Sequence, residues 1–137
     1  MYLLYAYMCI FNYYCRGIYM QDFIKATKAL SDETRLRMLN ILLVRECCVC
    51  EVMQALDISQ TRASRNLSIL YEAGFLKLRK EGQWKYYAVD RENLAKKNKK
   101  YLDFIVEAVS NALRDNKTAE SDIARLEKAK KLNPSCA

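Results

Sequence analysis

The sequence predicts a mainly α-helical chain with one β-hairpin, an α+β arrangement, and three observations carry that expectation. Apolar residues recur at helical spacing through most of residues 22–73 and again over 91–114. Between these stretches the period switches to two, in 75–80 and 84–89, around the turn Glu81-Gly82-Gln83. Only three Gly and one Pro occur in 137 residues, which leaves little room for a loop-rich or sandwich architecture. The length suits a single domain with one core.

Each element follows in order. Residues 22–30 read as a short helix with Phe23, Ala26 and Leu30 on one face. Ser31 is a suitable N-cap for a second helix, with Asp32 and Glu33 placing negative charge in its first turn. Leu36, Leu39, Ile41, Leu42 and Leu43 give that helix a broad apolar stripe. A third helix over 47–56 buries Val49, Val52, Met53 and Leu56. Asp57-Ile58 makes a tight turn, and Ser59 caps a fourth helix that ends near Ala73, with Gly74 in the C′ position. Leu67, Ile69 and Leu70 face inward, leaving Gln60, Thr61, Arg62, Ser64 and Arg65 outward. In the hairpin, Trp84, Tyr86 and Tyr87 are core residues. Asp90 caps a long helix over 91–114, striped by Leu102, Ile105, Val106, Val109 and Leu113. A stripe this long at the end of a small domain suits a partner helix, so a homodimer dimerising through terminal helices is expected. Residues 117–131 continue as a polar helix, followed by a mobile tail. Four helices, a hairpin and a further helix make a winged helix-turn-helix. The expected division is an N-terminal extension at 1–19, a winged-helix domain at 20–116, and a polar C-terminal helix and tail at 117–137.

The first twenty residues differ from the rest. They hold six of the ten tyrosines, and their only charge, Arg16, comes too late for a signal peptide. As a membrane span the stretch is short and Tyr-heavy, so no membrane partner is expected. It reads as an upstream start with Met20 as an alternative start, or as an added helix packing on the dimer.

The net charge is +7, and its location is informative. Residues 60–100 hold 11 Lys/Arg against 4 Asp/Glu, so the remainder has 12 of each and all the excess lies in 41 consecutive residues. That segment spans the fourth helix and the hairpin, which favours a polyanionic partner. Major-groove reading needs donors and acceptors on an exposed helical face, and Gln60, Thr61, Arg62, Ser64 and Arg65 supply them. Arg79, Lys80, Gln83 and Lys85 of the hairpin reach the adjacent backbone or minor groove.

The chain has no histidine, which excludes His-based catalytic pairs, HExxH zinc chemistry and Cys₂His₂ fingers. No phosphate loop or nucleophile–base pair is present, so an enzyme and an organic cofactor are not expected. Thiolates are left as the soft ligands. Cys47, Cys48 and Cys50 put three thiols into four positions, too close to bridge one another without strain. Reduced thiols in the cytoplasm are therefore expected. Helix N-termini and nearby Arg45 are expected to lower the thiol pKa values.

Residues 23–110 resemble the arsenic-type metalloregulatory repressors, the ArsR/SmtB family. The matching strings are Ala29-Leu30-Ser31-Asp32-Glu33-Thr34-Arg35-Leu36-Arg37, Cys48-Val49-Cys50-Glu51, Ser59-Gln60 with Ser64-Arg65-Asn66-Leu67 and Leu70, and Glu81-Gly82-Gln83-Trp84-Lys85-Tyr86-Tyr87. The resemblance implies a dimeric repressor that leaves double-stranded operator DNA on binding a toxic metal or metalloid, and Cys-Val-Cys resembles the arsenite-responsive branch. The enterobacterial pattern has a third cysteine where Met53 stands, so the third ligand comes from Cys47, or from Cys136, Cys9 or Cys15. Three thiolates suit As(III) or Sb(III) as the inducer. Positions i and i+2 of a helix point about 200° apart. Cys48 and Cys50 would then diverge, Cys47 and Cys50 would share a face, and gathering all three would unwind the first turn of the third helix. The alternatives are a thiol-redox repressor of the same fold and a winged-helix protein-interaction module.

Overall fold

The computed structural model describes residues 20–132. The first helix, α1, is seen over 20–30, followed by α2 (Glu33–Val44). The N-cap of α2 is Asp32, whose carboxylate accepts from the Arg35 N–H at 3.1 Å. The expected cap, Ser31, instead turns its hydroxyl back to the Lys28 carbonyl at 2.8 Å.

The next segment departs from expectation. Residues 47–56 are not one helix: Cys47–Cys48 forms a short strand, β1, and α3 (Val49–Leu56) begins only afterwards. The strand exists because a hairpin lies alongside to pair with it. β2 (Leu76–Glu81) and β3 (Trp84–Val89) form that hairpin, and the sheet order is β1-β3-β2, all antiparallel. Cys47 stands opposite Tyr87 and Cys48 opposite Tyr86. Gly82, with φ of +60°, opens the two-residue turn between Glu81 and Trp84, a conformation costly for a side-chain-bearing residue.

α3 ends at Asp57, which takes the left-handed conformation (φ 55°). Ser59 caps α4 (Gln60–Glu72) by accepting from the Arg62 N–H at 3.3 Å, as the sequence predicts. Gly74 has φ of +91°, and its carbonyl accepts from Asn93 Nδ2 at 2.9 Å. α2, α3 and α4 close over one core with Met38, Leu39, Ile41, Val52, Leu67, Leu70 and Phe75 fully buried.

The expected long helix over 91–114 is broken into α5 (Arg91–Leu94), a 3₁₀ turn (Lys97–Lys99) and α6 (Lys100–Ala112). The cause is local. Lys96, Lys97, Lys99 and Lys100 would stack like charges at spacings of three and four in a continuous helix. Breaking it lets Lys99 pair with Asp22 of α1 at 2.8 Å. Phe23 of α1 then meets Tyr101 of α6 edge-on, 5.6 Å between centroids. Leu102, Val106 and Val109 are buried, while Thr27, Leu30, Leu36, Ile105 and Leu113 border an apolar groove between α1, α2 and α6.

α7 (Lys117–Lys128) carries a polar sequence but packs on α2 and α3. Its Asp122 is fully buried and accepts from Arg37 Nε and Nη2, both at 2.7 Å, and from Arg125 at 2.5 Å. Those arginines also bond the last carbonyls of α3, Arg37 to Leu56 at 3.3 Å and Arg125 to Ala55 at 2.8 Å. Beyond the helix, Gln54 and Lys130 exchange two hydrogen bonds, at 2.7 and 3.1 Å. The extension at 1–19, the end of the tail, and Cys9, Cys15 and Cys136 lie outside the described residues. Among the described residues no helix is long and apolar enough to cross a membrane.

Candidate functional site

Two groups of side chains are carried by the helical pair α3–α4 and the strands beside it. The first is the polar face of α4. Gln60, Thr61, Ser64 and Arg65 are exposed along it together with Ser68, and these five line one shallow groove. Ser68 was missed in the sequence, although its place four residues after Ser64 and seven after Thr61 puts it on that stripe. Arg62 is different. Its guanidinium turns back to α2 and donates to the Thr34 hydroxyl at 2.7 Å. Buried Asn66 accepts from Arg35 Nη1 at 3.1 Å and donates to the Arg62 carbonyl at 2.9 Å. Arg35 also donates from Nε to the Ala29 carbonyl of α1. Polar bonds thus hold α4 against the ends of α1 and α2, and Arg35, also missed, is their centre.

The hairpin residues divide by the period-two rule. Lys80 stands opposite Lys85, Arg79 opposite Tyr86, and Gln83 occupies the turn. Arg79 is engaged by carboxylates, bonding Glu46 at 2.7 Å and Glu81 at 2.5 Å, with its guanidinium 4.5 Å above the Tyr86 ring. Its hydrogen bonds, and then its charge, hold both carboxyl groups below their ordinary pKa. Lys80 has no such restraint and is exposed; Lys85 is half-buried.

The second group is the thiols. Cys47, Cys48 and Cys50 are all fully buried. Neighbours on a strand face opposite ways, so Cys47 enters the main core while Cys48 turns to the other side. There Cys48, Cys50 and Tyr86 form a small separate cluster, with Trp84 packed against it. Helical geometry would have set Cys48 and Cys50 apart and joined Cys47 to Cys50. The opposite pairing arises because Cys48 is the extended N-cap of α3 and not part of it, with φ of −84° and ψ of 169°. Among the described residues no three His, Cys, Asp or Glu side chains are placed to hold a metal ion.

Cys48 serves as the first member of a capping box in which sulfur replaces the usual hydroxyl. The Glu51 carboxylate accepts from the Cys48 N–H at 2.9 Å, and the Glu51 N–H faces the sulfur. Glu51 in turn pairs with Arg45 at 2.9 Å. This overturns the expectation of activated thiols. Burial pushes the Cys47 pKa up to about 12, outweighing Arg45, whose charge is answered by Glu51. Burial likewise pushes Cys48 to about 11, despite the bond from the Glu51 backbone. Both stay protonated near neutrality. Site-resolved alkylation of Cys48 in the folded protein is therefore expected to rise about tenfold per pH unit from about pH 7 to 10. A plateau near pH 9, read by mass spectrometry of the modified peptide, would show an ordinary thiol. Because the unfolded chain ionises first, stability should fall as pH climbs from the ordinary thiol value of 9.0 toward 11 and 12.

The family model for bacterial regulatory proteins of the arsR family matches residues 32–77. Arsenic resistance transcriptional regulator ArsR2 of Pseudomonas putida is 44% identical over 90 residues, 65% of this chain and 77% of that protein. The chain belongs to the ArsR family. Arsenic resistance transcriptional regulator ArsR1 of the same organism is 49% identical over 67 residues, and the match spans about half of that relative, 52% of its length. The solution structure of the homodimeric winged helix-turn-helix DNA-binding domain of Mb0332 from Mycobacterium bovis superposes with a TM-score of 0.60. It is 24% identical, over 74% of this chain and 87% of that one, and so shows the winged helix-turn-helix fold alone. In this ArsR-family chain the region matched by the family model holds α2, β1, α3 and α4, hence the three thiols and the polar face of α4. Most of the hairpin and all of α6 and α7 lie beyond it.

Proposed function

We propose that the protein is a cytoplasmic transcriptional repressor that binds an inverted-repeat operator as a homodimer and is released by As(III) or Sb(III). The observation that carries this reading is the place of Cys48 and Cys50, buried side by side at the start of α3, directly before the helix with the polar, basic face. The names of the relatives, arsenic resistance transcriptional regulators, support the choice of inducer.

Gln60, Thr61, Ser64, Arg65 and Ser68 enter the major groove, where an arginine can pair bidentately with guanine. Arg62 braces α4 against α2, and Lys80, Gln83 and Lys85 meet flanking phosphates, with Arg79 held back by its two carboxylates. The apolar groove between α1 and α6, with exposed Phe23 and Phe104 beside it, is the dimer face. Two copies of α4 then meet major grooves about one helical turn apart, roughly 10 bp between half-site centres.

Cys48 and Cys50 supply the first two sulfurs. Cys47 is proposed as the third, reached only when the two-residue strand β1 leaves β3 and turns its side chain over. Each thiol that joins replaces one hydroxide of arsenous acid, its proton leaving with that hydroxide as water. Ligation of Cys48 removes the sulfur from the capping box, so the first turn of α3 is disturbed next to α4. A redox repressor would need accessible, acidified thiols, and those of Cys47 and Cys48 are buried and protonated.

The test is fluorescence anisotropy on an inverted-repeat operator, with arsenite, antimonite, cadmium, zinc or peroxide added in turn, without added dithiol. Release by arsenite under reducing conditions supports the reading, and release only by peroxide overturns it. If Lys80 and Lys85 of each protomer neutralise phosphates, four contacts predict a loss of about a hundredfold in affinity between about 50 and 200 mM salt. A flat salt dependence would contradict the assignment.

A further inference from the structure

The thiols Cys48 and Cys50 do not touch the rest of the protein evenly. One wall of their cluster is α3 and its capping box; the other is β3, through Tyr86 and Trp84, which alternate onto the same face of the strand. Tyr86 is buried between several groups. Its backbone pairs with Cys48, Arg79 stacks over its ring at 4.5 Å, and the Lys131 ammonium lies 4.7 Å from the ring centroid and donates to the phenol oxygen. Arg79 in turn joins Glu46, next to β1, to Glu81 at the hairpin turn.

We infer that Tyr86 is a positioning residue through which occupation of the thiol cluster reaches the hairpin, so that the inducer moves the wing as well as, or before, the recognition helix. The inference rests on the functional reading above and adds a route to it. The physical reason is packing. Both sulfurs are completely buried, and a close-packed cluster cannot accept an atom of arsenic's size unless some wall gives way. The α3 wall is tied to the core and to α7 through Arg45, whose guanidinium bonds both Glu51 and the Leu126 carbonyl. The other wall is an aromatic ring on β3, whose pairing with β1 extends over only two residues and whose ring is covered by the exposed side chains of Arg79 and Lys131 and not by a further packed element. Displacing that ring shifts Arg79 from its stack and carries Lys80, Gln83 and Lys85 with it.

The experiment measures operator affinity with and without sodium arsenite for wild type, Tyr86→Leu and Tyr86→Phe. Occupancy is followed by Trp84, the single tryptophan of the chain and a member of the same cluster. Wild type should lose about 10- to 100-fold in operator affinity, the usual range of allosteric coupling. Tyr86→Phe keeps the ring and should keep the coupling. Tyr86→Leu should bind arsenite and bare operator close to wild-type strength yet lose most of the ratio between the two affinities, an effect that mere loss of packing does not produce. Undiminished release in Tyr86→Leu would overturn the inference. Should Tyr86→Leu not fold, hydrogen exchange on the wild type decides: arsenite should hasten exchange in 76–81 and 84–89, and acceleration confined to α3 and α4 overturns the proposal. A wild type that binds operator but shows neither arsenite release nor a change in Trp84 emission refutes the functional reading itself, and is recognisable without any Tyr86 variant.

Discussion

Replacing Asp122 by alanine is expected to cost about 3 kcal/mol of stability, because removing one partner of a buried ion pair leaves the other charge unanswered. Asp122 is completely buried and accepts three charged hydrogen bonds, two from Arg37 and one from Arg125. Arg37 is mostly buried and has nowhere to rehydrate without lifting α7. The same two arginines satisfy carbonyls at the end of α3, so the loss spreads to the helix that carries Cys50. In a domain of this size the change corresponds to a fall in Tm of roughly 10 °C. Thermal unfolding followed by circular dichroism checks it, and a shift within a degree or two would show that the clamp is solvated in solution. Arg125→Ala should cost much less, since that side chain is 42% exposed and makes the weaker, surface-screened part of the cluster. Asp122→Leu is the informative companion. Buried ion pairs replaced whole by apolar residues are often neutral, but here Arg37 remains, so leucine should not rescue.

Cys48→Ser and Cys50→Ser should each reduce the effect of arsenite on operator affinity from roughly 10–100-fold to near none. Both sulfurs already share one cluster, and a hydroxyl does not substitute for thiolate at a soft trigonal centre. Bare operator binding should be retained, since serine is a good N-cap at position 48. Cys47→Ser separates the ligand sets. It should lower stability, because a hydroxyl enters the main core, and weaken arsenite binding while leaving some release, because Cys47 joins only after β1 unpairs. Wild-type release in Cys47→Ser together with its loss in Cys136→Ser would move the third ligand to the tail. Full release in both Cys48→Ser and Cys50→Ser would remove the thiol cluster from the mechanism.

The residues proposed to read DNA were legible because their signals are local. Ser59 at a cap, Gly74 at a left-handed C′ position and polar residues at helical spacing in between define α4 without reference to anything distant. The hairpin was legible for the same reason, through alternation around Gly82. The thiol site was legible as a cluster but not as an arrangement. A strand of two residues has no period to detect, and β1 exists only because β3 pairs with it. That pairing sends Cys47 one way and Cys48 the other. The acidity of Cys47 and Cys48 was misread for a related reason: Arg45 is near in sequence, yet Glu51 neutralises it and burial dominates.

The sequence by itself determined most of the helical and extended segments, β1 and the break before α6 excepted, together with the polar, basic face of α4 and the presence of three soft donors in the preceding segment, since caps, turns and periodicity act over a few residues. The tertiary structure alone decided that two of those donors share a pocket with Tyr86 and Trp84, that Arg79 answers Glu46, and that α7 is clamped by Asp122 to an arginine 85 residues away. These depend on distances between residues far apart in the chain. Burial and charge pairing there are set by how the elements pack and not by which elements form.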